Sequence, residues 1–306
     1  MHLLLGDSRD PCCLCVRDAL ETRNQKARLL ANPFVYPARF SWNLDSNQSA
    51  TLLALDAETA LTDDDISGVF VRSAGWIDPA GWDPPDLAYM QTETQAALLG
   101  WLWSLPCPVI NRYSPSIWYR PRAPLLSWHR LLRRCGLPTL ETLITNIEQE
   151  MLAFRHRLAE TETPGAILGP LTSEARYMIA SEEDWRGLAG LQQVAPVILT
   201  VPHEETYAAC VVRERVVWDG AAPPPMVRLE PELRQFAALS GLDLVELVLA
   251  PTRHGVSVIG VETTPHFERY GADAQQHIVE AIVSILTGQA NHRGHGGPAI
   301  PQGRFA

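Results

Sequence analysis

Lysine is almost missing from this chain: of its 25 basic residues only Lys26 is lysine, and every other one is arginine. Any mechanism that needs a second lysine ammonium is excluded. Coding bias toward arginine accounts for replacements on the surface, but it would not remove a lysine that chemistry requires. Positive charge is also short overall. The 35 acidic residues outweigh the basic ones and leave a formal charge of -10, which argues against nucleic acid as a partner. No apolar run approaches the roughly 20 residues needed to span a bilayer. The opening MHLLLGDSRD has neither a basic n-region nor a long apolar core, so the expectation is a cytoplasmic protein with no membrane partner. Internal repeats are missing, as are a Gly-x-Ser-x-Gly elbow, a Walker loop and a Rossmann glycine fingerprint. The six cysteines form no pair of C-x-x-C motifs. Cys12, Cys13 and Cys15 with His2 do not match zinc-site spacing, and thiols are expected rather than disulfides.

What is present reads as a globular chain of two or three closely packed domains. HLLLGD is a short buried strand that stops at a turn, and Cys12 to Asn24 reads as the helix after it. TLLALD and GVFVRS follow as further strands, so the opening predicts a parallel α/β domain over residues 1–110. Gly75 to Asp86 reads as irregular, TETQAALLGWLWSL as a buried helix, and PVIN as the last strand of that domain. Residues 111–190 read as a linker and a small lobe, and residues 191–290 as a second lobe. Their short strands with turn signals predict an α+β, mainly antiparallel portion. Two signals there are specific: Ser181-x-x-Asp184 fits a capping box, and Gly136 and Gly241 suit left-handed helix stops. Residues 291–306, rich in Gly, His and Pro, are expected to be a flexible tail.

Several phrases together resemble the ATP-grasp superfamily, in particular the RimK-like and peptide-maturing carboxylate-amine ligases. CGLPTLETLITN resembles that group's Gly-Leu-x-x-P turn and Thr-Asn strand. ILGPLTSEARYMIASEEDW followed by APVILTVP is similar in order and spacing to its central strands, and TYAACVVRERVVWDG to the hairpin beyond. GLDLVELVLAPTRHGVSVIGVETTP resembles the paired strands that carry the metal ligands. The resemblance implies an ATP-grasp fold with an N-terminal pre-ATP-grasp domain. It also implies that the nucleotide site is degenerate. Leu125 or a neighbour stands where the family has its first ATP lysine, and Gly169-Pro170 stands where it has Lys-Pro. Val248 falls near the family's aspartate and Thr264 takes the asparagine's place, while Glu262 and Pro265 match.

Candidate site residues follow from both lines. Arg72, Arg112, Arg120 and Arg122, near a strand end and in the interdomain linker, suit carboxylate or phosphate, or else form interdomain salt bridges. Arg176 joins them as a phosphate candidate. Glu204 and Glu205, after the hinge phrase ILTVP, are the nucleotide candidates, and Glu262, Asp243 and Glu246 the metal candidates. Glu262 reads more readily as one half of a structural pair with an arginine such as Arg228. Trp76 and Trp82 read as a contact surface for a peptide or protein partner, and Trp101 as core. His292 and His295 read as solvated.

The implied function is a degenerate ATP-grasp-like binding or partner subunit in peptide modification or natural-product biosynthesis, with homo- or hetero-oligomer left open. The rival is an active carboxylate-amine ligase. In the rival, arginines such as Arg122, Arg130, Arg133 or Arg176 replace the lysines, and ATP and magnesium are cofactors.

Overall fold

The structure, a computed structural model, describes residues 1–45, 49–73, 75, 77–118, 125–160, 165–169, 176–203, 205–252 and 255–288. The chain forms two compact units. One is Met1–Pro115 together with the chain from His266 on, and the other is Ser116–Pro265.

The first unit begins with β1 (His2–Leu5), α1 (Pro11–Thr22) and β2 (Ala27–Leu30). Then come β3 (Arg39–Leu44), β4 (Ser49–Ala54), β5 (Ala60–Leu61), β6 (Gly68–Val71), α2 (Pro84–Ser104) and β7 (Val109–Ile110). The predicted parallel sheet is there, in the order β2-β1-β6-β7. Its two central strands, LLL and VFV, are buried on both faces, as continuous apolar runs should be. TLLALD is a strand as expected but leaves this sheet. As β4 it joins β3 and β5 in a separate antiparallel sheet. Phe34 and Phe40 meet Trp101 edge-on, and the Trp101 indole donates to Thr51 Oγ1 at 3.0 Å, so the predicted core tryptophan is core. The α2 helix starts earlier than expected, because Pro84 and Pro85 occupy its first turn, where no backbone donor is missed.

After the short α3 (Pro115–Trp118), the second unit contains α4 (Leu125–Arg134), β8 (Thr142–Thr145), α5 (Glu148–Glu160), β9 (Ala166–Leu168) and β10 (Tyr177–Ile179). It continues through α6 (Glu182–Gln192), β11 (Val197–Thr200), β12 (Tyr207–Val212), β13 (Arg215–Trp218), α7 (Pro224–Val227) and α8 (Glu230–Ser240). It closes with β14 (Leu244–Thr252) and β15 (Gly255–Glu262). Two antiparallel sheets result, β10-β9-β11-β8 and β13-β12-β14-β15. The Ser181–Asp184 capping box opens α6, and Gly241 at φ 72° ends α8.

The chain then returns to the first unit with α9 (Ala272–Leu286), which packs on α1, β6 and β7. The second unit ends at Pro265, and the apolar face of α9, from Ile278 to Leu286, is buried in the first. Among the described residues no helix is long and apolar enough to cross a membrane.

Two histidines with buried ring nitrogens set an acid limit. His2 is 2% exposed with Nδ1 unpartnered among the described residues, and burial lowers its pKa. His203 is lowered by burial and then by the charge of Arg176. Below about pH 6.5 the unfolded chain takes up protons that these folded rings resist, so stability falls as pH drops from there. A urea midpoint that declines below about pH 6.5, with a shallower decline in His2→Gln, is the expected result.

Candidate functional site

Two places gather the predicted residues. In the first unit, β1 leads by way of α1 to β2 on one side and has β6 on the other, so the sheet changes direction between β1 and β6. Ligands of open α/β sheets favour the crevice beyond such strand ends. Arg72 stands there, directly after β6, with its side chain 2% exposed and Nε donating to Asp10 Oδ2 at 3.1 Å. Asp10 is also the N-cap of α1, accepting from the Cys12 and Cys13 amides. The Cys12 thiol donates to Glu268 Oε2 at 2.8 Å, and His266 Nδ1 lies 3.1 Å from the other Glu268 oxygen. Burial pushes the Cys12 thiol well up, and it raises Cys13 to about 12, so both are neutral packing groups rather than nucleophiles. Burial also works against the Glu268 carboxylate, but donation from Cys12 and from its own backbone and the adjacent His266 hold its pKa below the usual value.

Arg112, expected as a ligand contact, closes the C-terminal end of α2. Its guanidinium donates to the carbonyls of Leu102, Leu105 and Cys107, the last at 2.8 Å. Arg72 and Arg112 are thus engaged within their own unit.

The second place is the sheet β13-β12-β14-β15. Glu246 and Glu262 are direct cross-strand partners, with Cys210 next in the same row on β12. Opposed partners share a face, and two carboxylates so placed repel one another unless a cation or proton joins them. Glu262 Oε1 accepts from the Thr264 amide at 3.0 Å. Asp243, the third metal candidate, lies elsewhere. It precedes β14, and its carboxylate holds Arg213 at 2.6 Å in the β12–β13 turn, while its carbonyl accepts the Arg213 amide. Asp243 is three residues from Glu246, about 10 Å along an extended strand. The next partners in the ladder are Val248 and Gly260, and a Cβ on Gly260 would sit 3.5 Å from the Val248 side chain. That row is apolar. Among the described residues no three His, Cys, Asp or Glu side chains gather as a metal-holding group. Of the three metal candidates, Glu246 and Glu262 are the two that share a row, and one or two carboxylates are what a magnesium ion held also by substrate phosphate takes from a protein.

Of the remaining candidates, Glu205 is exposed and accepts from the Tyr207 hydroxyl at 3.0 Å. Trp82 is 51% exposed in the first unit, and Trp128 is buried against Phe236 in the second. Arg120, Arg122, Glu204, Trp76, Pro170 and residues 291–306, with His292 and His295, lie outside the described residues. Sequence reasoning missed Glu268 as the partner of Cys12. It also missed the approach of Arg176 to Gly169, where a Cβ would meet the guanidinium at 3.2 Å. The second had a signal, since Gly169 falls where the resembling family carries a side chain.

This architecture is the ATP-grasp fold. Among similar solved structures is the macrocyclase MdnC bound with precursor peptide MdnA from Microcystis aeruginosa MRC. It has TM-score 0.70 at 18% identity, over 94% of this chain and 99% of that one. A Chryseobacterium gregarium RiPP-associated ATP-grasp ligase, in complex with ADP and a leader and core peptide, gives 0.71 at 14%, over 95% and 97%. A RimK domain ATP-grasp protein from Sphaerobacter thermophilus DSM 20745 gives 0.53 at 16%, over 93% and 97%. No protein-family model matches the chain, and no curated protein matches it in sequence.

Proposed function

We propose that this chain is a binding or partner subunit in peptide modification or natural-product biosynthesis, and that it does not drive ATP-dependent ligation. One observation carries the reading. The unit Ser116–Pro265, which holds the sheets β10-β9-β11-β8 and β13-β12-β14-β15, contains no lysine at all, because Lys26 belongs to the first unit. A ligase of the resembling kind needs compact ammonium charges on its phosphates, and leucine and glycine occupy the corresponding positions. The apolar Val248–Gly260 row supports the same conclusion on the metal side. The peptide context comes from the fold neighbours, several of which were solved with precursor peptides.

The test is affinity capture of the full chain from the organism that makes it, followed by mass spectrometry in the peptide range. Recovery of a short ribosomal peptide or of a modifying enzyme is the expected result. A chain that always purifies alone, with no affinity for either, refutes the role.

A second reading, an active carboxylate-amine ligase with arginines in place of the lysines, is favoured by the Glu246–Glu262 pair. Magnesium held there would neutralise phosphate charge. Glu262→Ala separates the readings: a working ligase loses nearly all turnover, whereas a binding subunit, which does not rely on a metal there, keeps its peptide affinity within about twofold.

A further inference from the structure

The α2 helix is packed at one end only. Its buried residues are Leu98, Leu99, Trp101 and Leu102, all toward its C-terminal end, and Pro84 to Ala97 contributes none. In that first stretch Leu87, Met90, Thr94 and Gln95 are half-buried along one side of the helix. Asp86, Tyr89, Glu93 and Ala96, spaced by three and four residues, form an exposed stripe along the other. Most of the stability of a helix in a protein comes from packing one face rather than from propensity. A stripe left open over this length is therefore surface that a partner can cover.

Rings and charges in the same segment define the partner. Tyr89 is 67% exposed and Trp82 51%. Trp82 stands just before the helix, at the end of a turn in which its amide donates to the Pro79 carbonyl at 3.3 Å and Gly81 takes φ 84°. Asp78, Asp83, Asp86 and Glu93 are exposed, and among the described residues none of them is in an ion pair. From Ser73 to Asn111 the sequence contains no Lys, Arg or His. Asp83 is the N-cap of α2, yet its side chain makes no cap bond. Favourable charge at a helix N-terminus accounts for Asp83 and Asp86, but not for Glu93 or for two exposed rings.

We propose that the exposed stripe of α2, together with Trp82 in front of it, docks an arginine-rich peptide segment of a partner protein. The inference rests on the partner-subunit reading and deepens it by assigning the partner's charge. Carboxylates take guanidinium groups in planar, bidentate contacts. Indole and phenol rings accept the same cation over their faces, arginine more often than lysine. Tyrosine and tryptophan also give large contact area at little cost in ordering, and they recur among the residues that carry binding energy at interfaces. Four carboxylates without counter-charge would repel an acidic segment, and a purely apolar one would leave them uncompensated. Charge thus selects a cationic occupant, and the rings select arginine over lysine.

The experiment titrates the full chain into fluorescein-labelled synthetic peptides of alternating glycine and arginine, glycine and lysine, or glycine and glutamate, and follows anisotropy. The arginine peptide is expected to bind, the lysine peptide to bind more weakly and the glutamate peptide not at all, with affinity falling as salt is raised. Trp82→Ala and Tyr89→Ala should each weaken the arginine peptide about two- to fivefold, the worth of one exposed cation–π contact. Asp86→Asn combined with Glu93→Gln should weaken both cationic peptides. All four positions are exposed, so the unfolding midpoints should equal that of wild type. Glu148→Gln combined with Glu150→Gln removes as much negative charge from α5 in the second unit and should bind as wild type does, which attraction to overall charge would not explain. Wild type that does not bind the arginine peptide, binding that ignores Trp82→Ala and Tyr89→Ala, or equal loss with either acid pair overturns the proposal. Self-association that Trp82→Ala abolishes overturns it too, since a second copy would then be the occupant. The subunit role fails separately. If affinity capture recovers no partner while arginine-peptide binding still depends on Trp82, the role is refuted and the surface stands. A captured partner that stays bound to the Trp82→Ala and Asp86→Asn variants keeps the role and overturns this surface.

Discussion

Arg72→Met is expected to destabilise the first unit by about 3–5 kcal/mol, the range for breaking a buried ion pair from one side. The side chain is 2% exposed, its partner Asp10 is 16% exposed, and its guanidinium lies 5.8 Å from the Phe267 ring centroid. Methionine keeps most of the apolar stem but leaves the Asp10 carboxylate without its cation, next to Cys12 and Cys13 in the first turn of α1. The energy lost is thus the uncompensated charge, and a second substitution can show it. Asparagine in place of Asp10 still caps the helix, since Asn and Asp are comparable N-caps. The double variant Arg72→Met, Asp10→Asn should therefore regain part of the loss in a urea titration. A double variant as unstable as the sum of the singles would mean that packing, not charge, makes Arg72 matter.

Gly165→Ala is the second large effect, about 3–5 kcal/mol in the second unit. Gly165 has φ 154°, and a Cβ there would lie 2.2 Å from the Ile179 carbonyl oxygen, on the strand paired with β9. The clash is with backbone, so no rotamer relieves it. Either the β9–β10 pairing shifts or the start of β9 moves off the core that Ala166 fills. Denaturant midpoints and protease resistance of the variant should fall together. A loss under about 1 kcal/mol would mean that this glycine is dispensable.

Much of this architecture was legible because its signals are local. The apolar run HLLLGD, the capping box at Ser181 and the glycine stop at Gly241 each act over a few residues, and each is found as read. The strand β2 was missed for the converse reason, since ARLL is short and only partly buried. The strand β3 did carry a local signal, the polar-apolar alternation of RFSWNL, and was missed in spite of it. TLLALD was legible as a strand but not in its partner, because register and sheet membership come from β3 and β5 rather than from its own pattern.

The site candidates divide in the same way. Spacing could propose Asp243, Glu246 and Glu262 as one group, but only the ladder shows that Glu246 faces Glu262 while Asp243 braces a turn. The shift in pairing between Val248 and Leu249 cannot be counted out from the sequence. Arg112 read as a ligand contact because strand ends attract ligands, yet the free carbonyls at the end of α2 take its guanidinium first. The position of Arg176 was legible only in its counterpart, the glycine at 169.

The measurement that bears most directly on the whole account is ADP release by the purified chain given magnesium, ATP and the peptide it captures, with the peptide's mass followed in parallel. The account predicts ADP no higher than in a protein-free control and a peptide of unchanged mass. ADP formed in step with loss of water from the peptide, and abolished by Glu262→Ala, would contradict it and make this chain a ligase that works without lysine.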